Sequence, residues 1–407
     1  MKRLFLFLVV LLTLSTSYSK NRKVVYIVLD GIPTDYIERV HPKTVFDIAE
    51  KGGYSRAYTG GEIGTYSQTS TISAIGYMNI LTGTWMNKHN VKGNSNLSPN
   101  YNYWSLFRIA KNQDKDFKTA IFSSWTDNRT VLIGEGKPET DNIKIDYVFD
   151  GYDLDKENFP SKKDHYQIFE IDSVVCKKAA DCIKSEAPDL SWVYLWYTDS
   201  GYHLYGDGTY MDKFVEKTDN LISDIWKSVQ YRQEKFDEDW MIIVTTDHGR
   251  NESGHDHGGQ SERERSVWIS TNNDDLNAHF KSNSLSLVDI LPSVCCFMGF
   301  DMPRDVLFEG DGIPFIGNAD ISSLTTHPYD DKVTLKWKCY HSGEEAKIYM
   351  STTNEFKTGG KDVWCEIGTV SSDDCEFVVN LNEYPQSKFY KFVVATKNNH
   401  ITRWMYK

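Results

Sequence analysis

The chain has 407 residues, with 45 Lys and Arg against 57 Asp and Glu, so its formal net charge is −12. This balance disfavours a broad basic face for DNA or RNA, and we expect no nucleic-acid-binding surface. Apolar residues make up 40% of the chain and aromatic residues 14%, which is typical of a folded globular protein.

The N-terminus differs from the rest of the chain. Lys2 and Arg3 precede an apolar run over residues 4–14, and the small residues Ser17 and Ser19 follow it. This pattern predicts a secretory signal peptide over residues 1–19, and hence export to a periplasm-like compartment, the cell surface or the medium. A retained signal anchor is the alternative. No later stretch reaches the ~20 apolar residues of a transmembrane helix.

Seven cysteines follow, an odd number, so at least one thiol is unpaired within the chain. Cys176 and Cys182 lie on a predicted helix, where a rise of about 9 Å between them prevents a mutual bridge. Cys339, Cys365 and Cys375 are the candidates for one bridge, without a readable pairing.

Residues 20–326 alternate buried-type strands with amphipathic helices. Continuous apolar runs predict strands at 23–30, 118–125, 191–199, 239–247 and 265–271. Apolar residues at helical spacing predict helices at 44–52, 103–112 and 210–229. We therefore expect an α/β fold, a three-layer sandwich with a mostly parallel sheet between helices.

The sequence pattern changes towards the C-terminus, and we expect a domain boundary near His327 and Pro328. Short strands rich in β-branched and aromatic residues, separated by turn formers, predict a small β-sandwich domain over residues 327–407. It loosely resembles a fibronectin type III module. Its role is either an adhesive or carbohydrate-facing attachment or a stabilising cap on the first domain.

Three of the predicted strands end in an aspartate: Asp30, Asp199 and Asp247. Because ligands of open α/β sheets bind at the carboxyl ends of strands, these carboxylates are expected to converge. Each taken singly could be only a turn former or a helix N-cap.

Histidines accompany these aspartates: His203, His248 and His257. Three carboxylates and three imidazoles suffice for two Zn²⁺ ions with three protein ligands each, other divalent ions being the alternative. Two such ions about 3.5 to 4 Å apart are suited to phosphoryl transfer.

A nucleophile is expected between the first two aspartates. Thr69, Ser70, Thr71 and Ser73 offer hydroxyls before an apolar helical stretch. A hydroxyl at a helix N-terminus beside a metal would have its ionised form stabilised. The competing interpretation is an N-cap.

The ordered motifs VLDG, ISAIGYMNILTG, KHNVKGN, TDSGYH, TTDHG, GHDHGG and DILPSV resemble the alkaline phosphatase superfamily, most closely its type I phosphodiesterase and nucleotide pyrophosphatase branch. The resemblance extends from Lys23 to about Phe315. It implies an alkaline-phosphatase-like fold and a phosphoric ester hydrolase acting on a small phosphate ester or nucleotide.

The resemblance also implies roles for particular residues. The nucleophile of such proteins lies nine residues before the Thr of a Thr-Gly pair, which here points to Ser73. One ion would be held by four residues and the other by three. The implied sets are Asp30, Ser73, Asp247 and His248, and Asp199, His203 and His257. His255 competes for the last place, but His257 directly precedes a Gly-Gly pair.

Two departures from the pattern bear on the substrate. Gly76 stands where related pyrophosphatases carry a phosphate-binding Asn, so backbone amides or Asn94 are expected to replace it. The residues after Ser73 lack the Pro and Arg needed for formylglycine formation, which disfavours sulfate esters. Aromatic residues near the motifs, Tyr77 among them, could stack on a base or aryl leaving group, or could serve only to pack the cleft.

Two further functions stay open. A phosphomonoesterase would use the same residues, and a cell-surface binding protein could keep the fold without the activity.

Overall fold

The computed structural model describes residues 21–407, so the predicted signal peptide lies outside the described residues. In this part of the chain, no helix is both long and apolar enough to cross a membrane. The strands are β1 (Asn21–Leu29), β2 (Gly53–Tyr58), β3 (Thr119–Ser123), β4 (Tyr147–Phe149), β5 (Leu190–Leu195), β6 (Glu238–Thr245), β7 (Ser266–Thr271), β8 (Leu285–Ser286), β9 (Ile321–Tyr329), β10 (Lys332–Cys339), β11 (Glu345–Ser351), β12 (Cys365–Ser371), β13 (Glu376–Asn380), β14 (Phe389–Ala395) and β15 (His400–Tyr406). The α-helices are α1 (Thr34–Val40), α2 (Lys43–Ala49), α3 (Ser73–Thr82), α4 (Met86–His89), α5 (Leu106–Gln113), α6 (Tyr166–Ser185), α7 (Tyr197–Tyr205), α8 (Thr209–Lys235), α9 (Glu262–Arg265), α10 (Ile290–Met298) and α11 (Arg304–Leu307).

The first eight strands form one sheet in the order β4-β3-β5-β1-β6-β7-β2-β8. All neighbours pair in parallel except β7, which is antiparallel to both β6 and β2. Strands β5, β1 and β6 are adjacent at the centre. Because they run in parallel, the segments that follow them emerge at the same edge of the sheet.

Helices cover both faces of this sheet. Alternate residues of β1 belong to two different cores: Val24, Tyr26 and Val28 face one, while Val25 and Ile27 face the other. The first core includes residues of α3, α5 and α10, and the second includes residues of α1, α2, α6 and α8. The expected three-layer α/β sandwich is therefore confirmed, and burial on both faces explains the continuous apolar runs of the central strands.

The predicted strands and helices of this region are present as β1, β3, β5, β6 and β7, and as α2, α5 and α8. Sequence patterns missed β2, β4 and β8, which lie towards the sheet edges and are short or mixed in polarity. One detail was wrong: β5 ends at Leu195, and Asp199 lies in the first turn of α7. An acidic residue is favoured there by the partial positive charge of the helix N-terminus.

The C-terminal region is all-β, as expected. It consists of two antiparallel sheets, ordered β13-β10-β9 and β12-β11-β14-β15, which enclose a third core. The predicted domain boundary at residue 327 falls within β9, where Pro328 is tolerated because β9 is an edge strand. The division into two domains and the likeness to a fibronectin module stay predictions.

Buried charges join the C-terminal sheets to the first region. Lys391 of β14 binds Glu309 and lies 2.6 Å from Asp362, and all three side chains are at most 3% exposed. All seven cysteines are unpaired in the structure, including the three considered for a bridge.

Candidate active site

The three aspartates predicted to converge do so. Asp30 directly follows β1 and Asp247 follows β6, the neighbouring strand, and the Gly31 amide donates a hydrogen bond of 3.0 Å to Oδ1 of Asp247. Asp199 lies in the first turn of α7, after β5. One of its oxygens and one ring nitrogen each of His248 and His257 lie within 4.8 Å of one another, which places Asp199 next to the other two aspartates. Adjacency of the three parallel strands is the cause, since their carboxyl ends share one edge.

Asp30, Asp247 and His248 form the first group, with one oxygen or nitrogen of each within 4.8 Å of the others. Nε2 of His248 lies 3.4 Å from Oδ1 of Asp30 and 3.4 Å from Oδ2 of Asp247. Both of these carboxylate oxygens are buried without a hydrogen-bond partner. Nδ1 of His248 lies 2.9 Å from the Gly249 carbonyl oxygen and donates to it, so Nε2 is the ring nitrogen that faces the two carboxylates.

Asp199, His203 and His257 form the second group. Oδ1 of Asp199 lies 3.4 Å from Nε2 of His203 and 3.7 Å from Nε2 of His257. Nδ1 of His257 lies 2.9 Å from the Thr71 carbonyl oxygen, which leaves its Nε2 facing Asp199. His257 also stacks on His248 with ring centroids 3.7 Å apart, so the two groups are contiguous. The competing candidate, His255, faces the backbone oxygen of His203 at 3.4 Å instead.

Ser73 is the candidate hydroxyl that lies at these groups. It is the first residue of α3, and its Oγ lies 3.1 Å from Nε2 of His248. The other three hydroxyls are placed differently: Thr69 contacts the sulfur of Met86, Thr71 donates to Gly259, and Ser70 is exposed.

A cavity of about 370 Å³ opens over both groups. Its walls are Asp30, Ser73, Tyr77, Asn94, Trp125, Tyr194, Trp196, Asp199, His203 and His257. Asn94, predicted to bind substrate, accepts a 2.9 Å hydrogen bond at Oδ1 from the Ala74 amide, beside Ser73. Its amide nitrogen remains a potential donor to a ligand.

Tyr77, the other predicted substrate contact, lines the cavity, but its hydroxyl is committed to the protein. The side chain is 1% exposed, and its hydroxyl donates to Oδ2 of Asp30, which also accepts a 2.7 Å hydrogen bond from Tyr194. Tyr77 therefore orients Asp30. The sequence did not indicate three other aromatic residues of the cavity wall, which are Trp125, Tyr194 and Trp196. Tyr194 and Trp196 lie within five residues before Asp199, and this closeness in sequence could have identified them.

Arg250 is the other residue that sequence reasoning missed, although it follows the TTDHG motif directly. It is fully buried, and its guanidinium donates to Oδ1 of Asp199 and, from Nε at 3.0 Å, to the carbonyl oxygen of Gly31. It also lies over the ring of Tyr202, with Cζ 4.9 Å from the centroid. The motif gave no sign that this cation would point inwards.

Charge and burial shift the acid–base equilibria of both groups. Burial and the neighbouring Asp30 raise the pKa of Asp247. Burial would lower the pKa of His248, but the negative charges of Asp247 and Asp30 outweigh it and raise this pKa to about 9. Burial by itself would raise the pKa of Asp199, but the positive charge of Arg250 holds the pKa of this carboxyl well below its usual range. Crowded acidic groups of this kind are stabilised by a bound cation.

Solved structures with this fold include sulfatases. The chain aligns with a 2-O GAG sulfatase at a TM-score of 0.52 and 11% identity, covering 90% of this chain and 86% of that one. It aligns with a putative sulfatase from Bacteroides thetaiotaomicron at a TM-score of 0.50 and 10% identity, covering 89% and 86%. At such identities the likeness concerns the fold.

One similarity in sequence is with a protein of another kind. GPI ethanolamine phosphate transferase 2 of Schizosaccharomyces pombe is 30% identical over 118 residues, which cover 25% of this chain and 15% of that protein. The chain thus spans a small part of this relative.

Fold and site together define an α/β protein whose clustered aspartates and histidines are placed to bind metal. Within this class the family is specific. Residues 24–263, more than half of the chain, match the model of type I phosphodiesterase / nucleotide pyrophosphatase, and the protein belongs to that family, as the motifs predicted.

Proposed function

We propose that this protein is a phosphodiesterase that hydrolyses small phosphate diesters, with Ser73 as nucleophile and two zinc ions at the aspartate and histidine groups. The observation that carries the proposal is the position of Ser73. Its Oγ lies 3.1 Å from Nε2 of His248, whose nitrogen is 3.4 Å from unpartnered oxygens of Asp30 and Asp247. A hydroxyl among a metal-binding set is a typical activated nucleophile.

The residues present fit zinc. Carboxylate oxygens and imidazole nitrogens are ligands that zinc accepts, and two buried carboxylate oxygens without partners would be costly if no cation bound them. Asp30, Asp247, His248 and Ser73 would hold one ion, and Asp199, His203 and His257 the other. Zinc bound there would lower the pKa of the serine hydroxyl and of water, and would stabilise negative charge on the leaving oxygen.

The proposed reaction gives the following steps to the residues of the chain. The Ser73 hydroxyl gives its proton to solvent, Oγ forms a bond to phosphorus, the opposite ester bond breaks, and the leaving oxygen takes up a proton from solvent. A water molecule then attacks the phosphorus of the serine-bound phosphodiester; the bond to Oγ breaks, Oγ takes up the proton that the water loses, and a phosphate monoester is released. In this proposal the partial positive charge at the start of α3 and the amide of Asn94 would stabilise the phosphoryl oxygens.

The cavity favours a diester with an aromatic portion. Trp125 and Trp196 line it beside Ser73, and such rings stack on a base or an aryl group. Sulfate esters are less favoured because Ser73 is not followed by the Pro and Arg that formylglycine formation requires. A phosphomonoesterase is the second candidate, since the same nucleophile serves both substrates.

The test compares a nitrophenyl phosphodiester, nitrophenyl phosphate and nitrophenyl sulfate on purified protein, with zinc content measured in the same sample. We expect about two zinc ions per chain and the highest kcat/KM on the diester. A higher kcat/KM on the monoester would replace the proposal with the phosphomonoesterase. Absence of zinc together with absence of turnover would support a binding protein instead.

We also propose that the protein is exported, because residues 1–19 have the pattern of a signal peptide. N-terminal sequencing of the protein from the medium or periplasm of an expressing cell would show cleavage near Ser19. Recovery of an uncleaved chain only from the membrane fraction would favour the retained anchor.

A further inference from the structure

Arg250 links three parts of the site. Its Nη2 bonds to Oδ1 of Asp199, its Nε donates to Gly31, the residue after Asp30, and its Nη1 lies 3.4 Å from the carbonyl oxygen of His255. The side chain is fully buried. A Cβ at Gly31 would overlap the guanidinium of Arg250, so the turn after β1 leaves room for this cation.

The two groups consequently differ in charge. Asp30 and Asp247 supply two carboxylates, and their hydrogen-bond partners are tyrosine hydroxyls and a backbone amide, not Lys or Arg. Asp199 supplies one carboxylate, which Arg250 already pairs. With ionised carboxylates and neutral histidines, the forms in which these side chains would bind metal, the first group carries a formal charge of −2 and the second, counted with Arg250, a charge of 0.

Because the charges are buried, water screens little of the difference in charge that a bound cation would experience between the two groups. The guanidinium bonds to Oδ1 of Asp199, the same oxygen that faces His203 and His257. Since Arg250 is buried, water does not screen its charge, and it repels a divalent ion placed between those three ligands. Its hydrogen bond also withdraws electron density from the ligating oxygen.

We propose that Arg250 is a positioning residue that makes the two metal positions unequal: the position at Asp30, Asp247 and His248 binds zinc tightly, and the position at Asp199, His203 and His257 binds it weakly and exchanges it. This inference rests on the proposed function. It implies that the second position fills only as free zinc rises, so the fully loaded state depends on metal supply.

Zinc titration of the metal-free protein against a competing chromogenic chelator tests the proposal. We expect two equivalents whose dissociation constants differ at least tenfold. Asp247→Asn should remove the tighter equivalent and Asp199→Asn the weaker. Arg250→Met, which keeps the apolar stem without the charge, should tighten the weaker equivalent at least tenfold and leave the tighter one within about threefold. Arg250→Lys, which keeps the charge, should preserve the gap.

Arg232→Met is the matched control. Arg232, on α8, is also buried and is paired with a carboxylate, that of Glu238. Glu238 begins β6, whereas the candidate site lies beyond the other end of that strand. It should leave both zinc affinities unchanged. Equal affinities in the unmodified protein would overturn the inference without any variant, while leaving the proposed function intact. An unchanged or weakened second equivalent in a folded Arg250→Met protein would also overturn it. Failure to bind any zinc would overturn the proposed function, and the inference with it.

Discussion

The Ser73 hydroxyl oxygen lies 3.1 Å from Nε2 of His248, although 174 residues separate them in the chain. The start of α3, which carries Ser73, faces the segment after β6, in which His248 lies three residues beyond the end of the strand. The same nitrogen lies 3.4 Å from Oδ1 of Asp30 and 3.4 Å from Oδ2 of Asp247. This relationship places a potential nucleophile where a cation would be bound.

Replacing the serine is the first test of that relationship. Ser73→Ala should reduce kcat on a nitrophenyl phosphodiester at least about a thousandfold, because no other group would form the covalent intermediate. Ser70→Ala is the control, since Ser70 is an exposed hydroxyl three residues away. Comparable rates in the two variants would remove Ser73 as the nucleophile.

Asn94 is expected to support the phosphoryl group. Asn94→Asp keeps the oxygen that accepts from the Ala74 amide but replaces the amide donor with a negative charge. We expect kcat/KM for the diester to fall about a hundredfold or more, as for loss of an oxyanion donor. Ser95→Asp puts the same charge on the adjacent exposed residue, and a similar loss there would show that the effect is long-range charge.

The buried charges between the C-terminal sheets and the first region should stabilise the whole chain. Lys391→Met would leave Glu309 and Asp362 without their shared cation, which typically costs about 3 to 5 kcal/mol in the free energy of unfolding. Urea unfolding measures this, with the exposed Lys388→Met as control. A loss below about 1 kcal/mol would argue against a stabilising role of this contact.

His89 should make the protein sensitive to acid. Burial lowers its pKa from 6.5 to about 3, and its neutral ring accepts from the Val91 amide at 3.1 Å and faces Oδ1 of Asn79 with Nε2 at 3.1 Å. Because the folded pKa lies below the unfolded one, this contribution is complete above pH 6.5 and is lost as pH falls towards 3, by about 1.4 kcal/mol per pKa unit.

Urea unfolding between pH 4 and pH 7.5 checks this dependence. The protein is first treated with a chelator, so that release of bound metal at low pH does not contribute to the change in stability. We expect His89→Gln to lower stability at pH 7.5 but to flatten its decline towards pH 4. The exposed His327→Gln should keep the decline of the unmodified protein. An equally steep decline in His89→Gln would assign the acid sensitivity to other groups.

The sequence by itself determined the α/β class, the central strands, the all-β C-terminal region and the family. Strand patterns are local, because residues buried on both faces must be apolar over the length of the strand. The family motifs are likewise short and ordered along the chain. The strand β2 is only partly buried and β4 has only three residues, so neither carries a long apolar run, and both were missed.

Only the tertiary structure decided which side chains meet. The adjacency of β5, β1 and β6 brings Asp199 to Asp30 and Asp247, and this order is set by packing between segments far apart in the chain. The same packing turns Arg250 inwards onto Asp199, commits the Tyr77 hydroxyl to Asp30, and places His257 rather than His255 against Asp199. Such contacts depend on the distance and direction between elements, which no pattern within a single segment carries.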